Sequence, residues 1–134
     1  MNVPFFPYSD LYLEDQDVYK TIFNDVSTKG AFILQKELED FEKILCDFTG
    51  SKYALGMGNA TDALEIGLIA GGLKKGTEVI ISSHTMIATA SAIVVAGATP
   101  VPIDCGNDHM IDVTKIESAI TERTRAIMPT QLNG

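Results

Sequence analysis

The run Gly56-Met-Gly-Asn-Ala-Thr-Asp62 places two glycines, a preferred helix cap and a carboxylate within seven residues. Gly56 and Gly58 let the backbone turn sharply. Asn59 is a strong N-cap, and Asp62 sits three residues later, where its carboxylate reaches back to the cap amide. The amides of Ala60, Thr61 and Asp62 then point outward without intrahelical partners, and the Thr61 hydroxyl adds a donor. Such a terminus attracts a phosphate through free N–H groups and the helix dipole. An ordinary capped helix gives the same local pattern, so the surroundings must decide. Other reactive types are sparse. Cys46 and Cys105 have no ligand spacing and read as reduced buried thiols, and no metal-binding spacing occurs. Lys20, Lys36, Lys43, Lys74, Lys75 and Lys115 fall on polar helix faces or turns, so no catalytic residue is assigned within the chain.

The elements that must position this turn follow from periodicity. Tyr53 to Met57 is a short apolar run that suits a buried strand, and Ala63, Leu64, Ile66 and Leu68 continue as a helix closed by Gly71-Gly72. Glu78 to Ser83 reads as a buried strand and Met86 to Ala96 as a tightly packed helix of small residues capped by Gly97. Thr99 to Ile103 reads as an edge strand, because neither Pro100 nor Pro102 can donate to a ladder. Asp112 to Ile120 fits a helix with Val113, Ile116, Ala119 and Ile120 inward, and Arg125 to Met128 begins a fourth strand. Upstream, Pro4 and Pro7 make Val3 to Tyr8 an extended arm. Glu14 to Val26 and Lys36 to Phe48 have helical spacing, and between them a loop broken at Gly30 exposes Phe32, Ile33 and Leu34.

Alternating strands and helices demand a parallel sheet with right-handed crossovers, so the fold class is α/β. Ligands of such sheets collect beyond the carboxyl ends of the strands, which brings together Gly58 to Thr61, Ser82 to Met86, Asp104 to Gly106 and Thr130 to Gly134. A dinucleotide site is disfavoured: Thr61 replaces the third glycine, and the second strand ends in Ser82-Ser83-His84 where a ribose-binding acid belongs. A P-loop is excluded, since no Gly-Lys-Ser/Thr occurs. A small phosphorylated cofactor such as pyridoxal phosphate (PLP), needing one helix terminus, remains. The net charge of −8 with scattered basic residues argues against a nucleic-acid partner. The apolar stretch Ile87 to Ala98 is too short to span a bilayer, and Met1 to Pro7 lacks a signal-peptide pattern, so a cytoplasmic protein with no membrane partner is expected.

The run Gly58 to Leu64, followed by Gly76-Thr-Glu-Val-Ile80, Thr85-Met-Ile-Ala-Thr89 and Gly97-Ala-Thr-Pro-Val-Pro-Ile-Asp104, resembles the DegT/DnrJ/EryC1/StrS family of sugar aminotransferases. Gly30-Ala-Phe-Ile-Leu-Gln35, Phe41-Glu42 and Gly50-Ser-Lys-Tyr53 match it upstream in order and spacing. The resemblance implies a fold-type-I PLP enzyme, usually a homodimer. Such an enzyme moves an amino group from L-glutamate to a keto group of a nucleotide-linked sugar, for polysaccharide or related glycan biosynthesis. It maps the family's phosphate loop onto Asn59, Ala60, Thr61 and Asp62, with Ala60 and Thr61 holding the cofactor phosphate and Asp62 capping. The family's ring-stacking aromatic falls on Met86, which covers a ring by dispersion but lacks a π face. His84 lies beside the cofactor or substrate, and Phe32 in the loop Lys29 to Leu34 near the sugar or the partner subunit. Asp104 matches a family aspartate and reads as structural. The family's cofactor-binding lysine, the aspartate that pairs with the pyridine nitrogen and the smaller C-terminal domain fall past Gly134. Residues 1–35 are then an arm, first helix and loop, and residues 36–134 an incomplete cofactor-binding domain, inactive alone and prone to self-association. Two alternatives stay open: a sugar dehydratase of the same family, in which histidine replaces the lysine, and a non-catalytic truncated α/β module. A nucleotide-binding domain of another α/β family is the weaker third.

Overall fold

A computed structural model describes residues 4–132. Met1 to Val3 of the expected arm, and Asn133 and Gly134 of the expected ligand-end loop, lie outside the described residues. The chain divides into two compact units, Met1–Gly56 and Met57–Gly134.

In the first unit, residues 4–7 form no regular element, as two prolines require. Helix α1, Tyr8–Glu14, starts directly after Pro7 and was not foreseen in the sequence. No proline interrupts those seven residues, and Asp15 (φ −120°) separates them from α2, Gln16–Lys29. Helix α2 runs past the expected end at Val26 to Gly30 (φ +66°), where the amides of Gly30 and Ala31 donate to the carbonyls of Ser27 and Val26. That pair of bonds is a Schellman closure, and the left-handed residue in it favours glycine. Helix α3, Lys36–Thr49, also stops at a left-handed glycine, Gly50 (φ +70°). Its half-buried Glu42 accepts a hydrogen bond from the Gly56 amide at 2.7 Å. The expected strand Tyr53 to Met57 is extended but unpaired, with Tyr53 and Leu55 exposed. A strand is defined by its ladder, and this segment has none; its backbone is held by the Glu42 and Ser51 side chains instead.

The second unit is a parallel three-stranded sheet in the order β2-β1-β3, with β1 Glu78–Ser82, β2 Thr99–Ile103 and β3 Thr124–Met128. Every residue of β1 is buried, the reading expected of a central parallel strand. Pro100 and Pro102 lie on β2, an edge strand, where a missing donor is tolerated. Helices α4, Ala60–Ala70, and α5, Ile87–Val95, pack on one another. Val79 and Ile81, alternating onto one face of β1, pack with Ile93 and Ala98, flanked by Leu68, Leu73, Ala90, Ala126 and Met128. The small residues of α5 permit this close approach: Ala92 and Ile93 are fully buried. Helix α6, Val113–Ala119, packs on β2. Ile116 and Ala119 are half-buried as expected, but Val113 and Ile120 are exposed, because seven residues present only one turn's width inward.

At the amino ends of the strands the Glu78 carboxylate is buried. Its Oε2 accepts from Thr121 Oγ1 at 2.5 Å and its Oε1 from Arg123 Nε at 2.8 Å, with Arg123 Nη2 donating to the same Oε1. These bonds hold the carboxyl below its ordinary range, the Thr121 hydroxyl contributing most and the guanidinium next.

Candidate functional site

Helix α4 begins where the sequence places it, and its cap differs in one instructive way. Asn59 is extended (φ −162°, ψ 169°), and its side-chain oxygen accepts from the Asp62 amide at 2.9 Å. The Asp62 carboxylate in turn accepts from the side-chain amide of Asn59 at 2.9 Å, rather than from the backbone amide of the cap. The Asp62 amide is therefore occupied, and the expectation of three outward amides is corrected to two. Ala60 and Thr61 amides have no protein acceptor among the described residues, and neither does the Thr61 hydroxyl. Thr61 is half-buried and Ala60 exposed. The donors left over match one small anion: two N–H groups and one O–H at the positive end of an eleven-residue helix.

At the carboxyl ends of the strands, Ser82 Oγ lies 3.2 Å from Cys105 Sγ, and Ser83 Oγ lies 3.9 Å from the same sulfur. The Ser82 hydroxyl lowers the thiol's pKa, partial burial opposes it, and the His84 amide adds to the lowering. Both cysteines are free, and both are half-buried rather than buried as expected. His84 is exposed, with its ring edge-on to His109 at 6.3 Å. Thr85 Oγ1 lies 2.8 Å from Thr89 Oγ1 and 3.0 Å from Thr130 Oγ1. The loops after all three strands thus converge, as open parallel α/β sheets require: 82–85, 104–105 and 130. No hydrogen bond joins them to Gly58 to Thr61 among the described residues.

Met86 stands at the N-cap of α5 and is 68% exposed, so core packing does not account for it. Its side chain borders a shallow cleft of about 190 Å³ with Ile81, Thr85, Ile87, Pro100 and Pro102. Phe32 is exposed in the first unit, in the loop where Leu34 takes φ +47°. Asp104 accepts from Lys115 Nζ at 3.3 Å, which raises the lysine's pKa and ties α6 to the loop after β2. The sequence does not reveal the Thr85–Thr89–Thr130 chain. The i, i+4 spacing of the first two is visible, but the third joins only through the parallel pairing of β1 with β3.

A parallel sheet with an anion-ready helix terminus and polar loops at its carboxyl edge defines an α/β ligand-binding protein of the kind that holds a phosphorylated cofactor. Residues 14–134 match the profile of the DegT/DnrJ/EryC1/StrS aminotransferase family, and the chain belongs to that family. It is 38% identical over 133 residues to dTDP-3-amino-3,6-dideoxy-alpha-D-galactopyranose transaminase of Aneurinibacillus thermoaerophilus, covering 98% of this chain and 37% of the relative. Among solved structures, S. venezuelae DesV superposes with a TM-score of 0.93 at 38% identity, over 98% of this chain and 36% of DesV. The Bacillus subtilis protein NtdA, solved with bound cofactor PMP, gives a TM-score of 0.87 at 37% identity over 96% of this chain and 30% of its own. The chain thus spans about a third of the length of these relatives.

Proposed function

We propose that this chain forms the phosphate-binding part of a PLP-dependent sugar aminotransferase. The observation that carries the reading is the pair of unpartnered amides at Ala60 and Thr61 beside an unpartnered Thr61 hydroxyl, with Asn59 and Asp62 consuming the third amide between them. This donor set fits a phosphate monoester, and among the described residues no protein group competes for it. PLP, when bound, supplies an electron sink through which an amino group is exchanged for a keto group. The chain's own residues bind and orient: Ala60 and Thr61 hold the phosphate, Asn59 and Asp62 fix the terminus, and Met86, already exposed, covers a ring face by dispersion. His84 approaches the cofactor or the sugar substrate, and the loop that carries Phe32 serves the sugar or the partner subunit. In this reading the substrate is a nucleotide-linked keto sugar, the amino donor L-glutamate, the product a precursor of surface polysaccharide or a related glycan, and the working unit a cytoplasmic homodimer. The transaminase name of the Aneurinibacillus relative supports the sugar substrate. No helix of the described residues is long and apolar enough to cross a membrane.

The 134-residue chain alone is not a transaminase in this reading. A covalent cofactor lysine needs a lowered pKa in a dry pocket, whereas Lys29, Lys36 and Lys115 are paired with carboxylates that raise theirs. Titrating the purified chain with PLP, with and without inorganic phosphate, tests the cradle. Saturable binding that phosphate displaces and that borohydride does not trap on one lysine is expected. Thr61→Val should weaken that binding about 5-fold, the effect of losing one hydrogen bond. Equal affinity of the variant, or a single trapped lysine adduct, overturns the assignment.

A further inference from the structure

Helix α5 starts without the usual device: its N-cap is Met86, which offers no side-chain capping bond. The nearest polar side chain is Thr85, one residue earlier, and it is bonded on two sides. Its hydroxyl lies 2.8 Å from Thr89, which is 5% exposed on the first turn of α5, and 3.0 Å from Thr130 in the loop after β3. One hydroxyl has a single proton and two lone pairs, so Thr85 donates to at most one of these neighbours and accepts from the other or from both. Chains of this kind strengthen cooperatively and have no slack, because each member depends on the next. Met86, whose side chain is otherwise exposed, is placed by the residue before it and by the turn after it, and both are pinned by the same oxygen.

We propose that Thr85 is a positioning residue of the cofactor site, a hydroxyl hub that locks Met86 and the start of α5 to the loop following β3. The role rests on the reading of Met86 as the residue covering the cofactor ring, but the lock itself is present in the chain without any ligand. Its energetic partner is Thr130, 45 residues away in sequence, and not a neighbour on the helix.

The test uses the full chain with methyl-labelled methionine, the Met86 signal being assigned with Met86→Leu. Thr85→Val and Thr130→Val should each move the Met86 methyl resonance in the cofactor-free protein and each weaken PLP binding about 5-fold. Thr85→Ser should restore both, since it keeps the hydroxyl, and the double valine variant should be no worse than either single one. An unmoved Met86 methyl in both valine variants overturns the lock, as does a serine variant as impaired as the valine. Should Thr85→Val fail to fold, Thr130→Val interrogates the same bond from its other end. If the wild-type chain binds no PLP, the proposed function falls, while the methyl shift still decides the lock.

Discussion

At the scale of single residues, the sharpest feature away from the ligand ends is Glu78, a buried carboxylate satisfied by Thr121 and Arg123. Its pKa is lower in the folded chain than in the unfolded one, so the unfolded state takes up a proton first as acid is added. The stabilisation is fully present above the unfolded value, near 4.5, and is lost as pH falls through the lower folded value. Acid titrations followed by circular dichroism should show this limb in the wild type and lose it in Glu78→Gln, which should also lower the Tm at neutral pH by leaving Arg123 without its charge partner. A second residue-scale prediction concerns the cap. Asn59→Ala removes the acceptor of the Asp62 amide and should cost about 1 kcal/mol in urea unfolding. Asn59→Ser, whose hydroxyl accepts the same bond without facing a carboxylate with a carboxylate, should retain most of it. The cap was legible in the sequence because its signal is local: Asn at one position and a carboxylate three residues on. Which atom of Asn59 the carboxylate takes was not, since that depends on a side-chain rotamer.

Elements were legible in proportion to how much of their stabilisation is local. The β1, α5, β2 succession stands where periodicity and proline placement put it, and the edge position of β2 follows from Pro100 and Pro102 alone. Tyr53 to Met57 misled because an apolar pentapeptide specifies a strand only when another strand lies beside it, and pairing is a tertiary fact. Helix α1 escaped notice for the opposite reason: seven residues behind a proline-rich lead carry too few turns to show a period. A test at this scale uses Gly97, which follows α5 with φ +87° and has no atom nearer than 3.7 Å to where a methyl would stand. Gly97→Ala should therefore lose about 1 kcal/mol from backbone strain alone, measured by urea unfolding, with the cofactor titration unchanged.

At the scale of the whole molecule, two quantities oppose each other. The chain carries a net charge of −8, which keeps copies apart, yet Phe5, Phe23, Phe41, Phe48 and many aliphatic side chains are exposed. Apolar exposure on this scale exceeds what solitary soluble domains leave uncovered. Repulsion between acidic copies is screened within a Debye length of about 8 Å at physiological ionic strength. Raising salt should therefore shift the chain toward dimers and larger species in sedimentation velocity, and returning to low salt should reverse it. An unchanged monomer across the salt range would show that the acidic charge is not what limits association. The match to relatives of nearly three times the length gives this surface a context, since this chain covers 37% of the Aneurinibacillus transaminase.

The two ends of the sheet are chemically unlike. The Glu78–Arg123 pair grips the amino ends, while the side chains that join the carboxyl ends are hydroxyls and a thiol at Ser82, Thr85, Cys105 and Thr130. In the proposed function, stability and recognition fall to separate sets of side chains at opposite ends of the same sheet. A laboratory library seeking altered specificity can randomise positions 83, 84 and 86 while holding 78, 121 and 123 constant. Drift at the recognising end then leaves the anchoring end intact, which makes this small sheet a tolerant substrate for divergence.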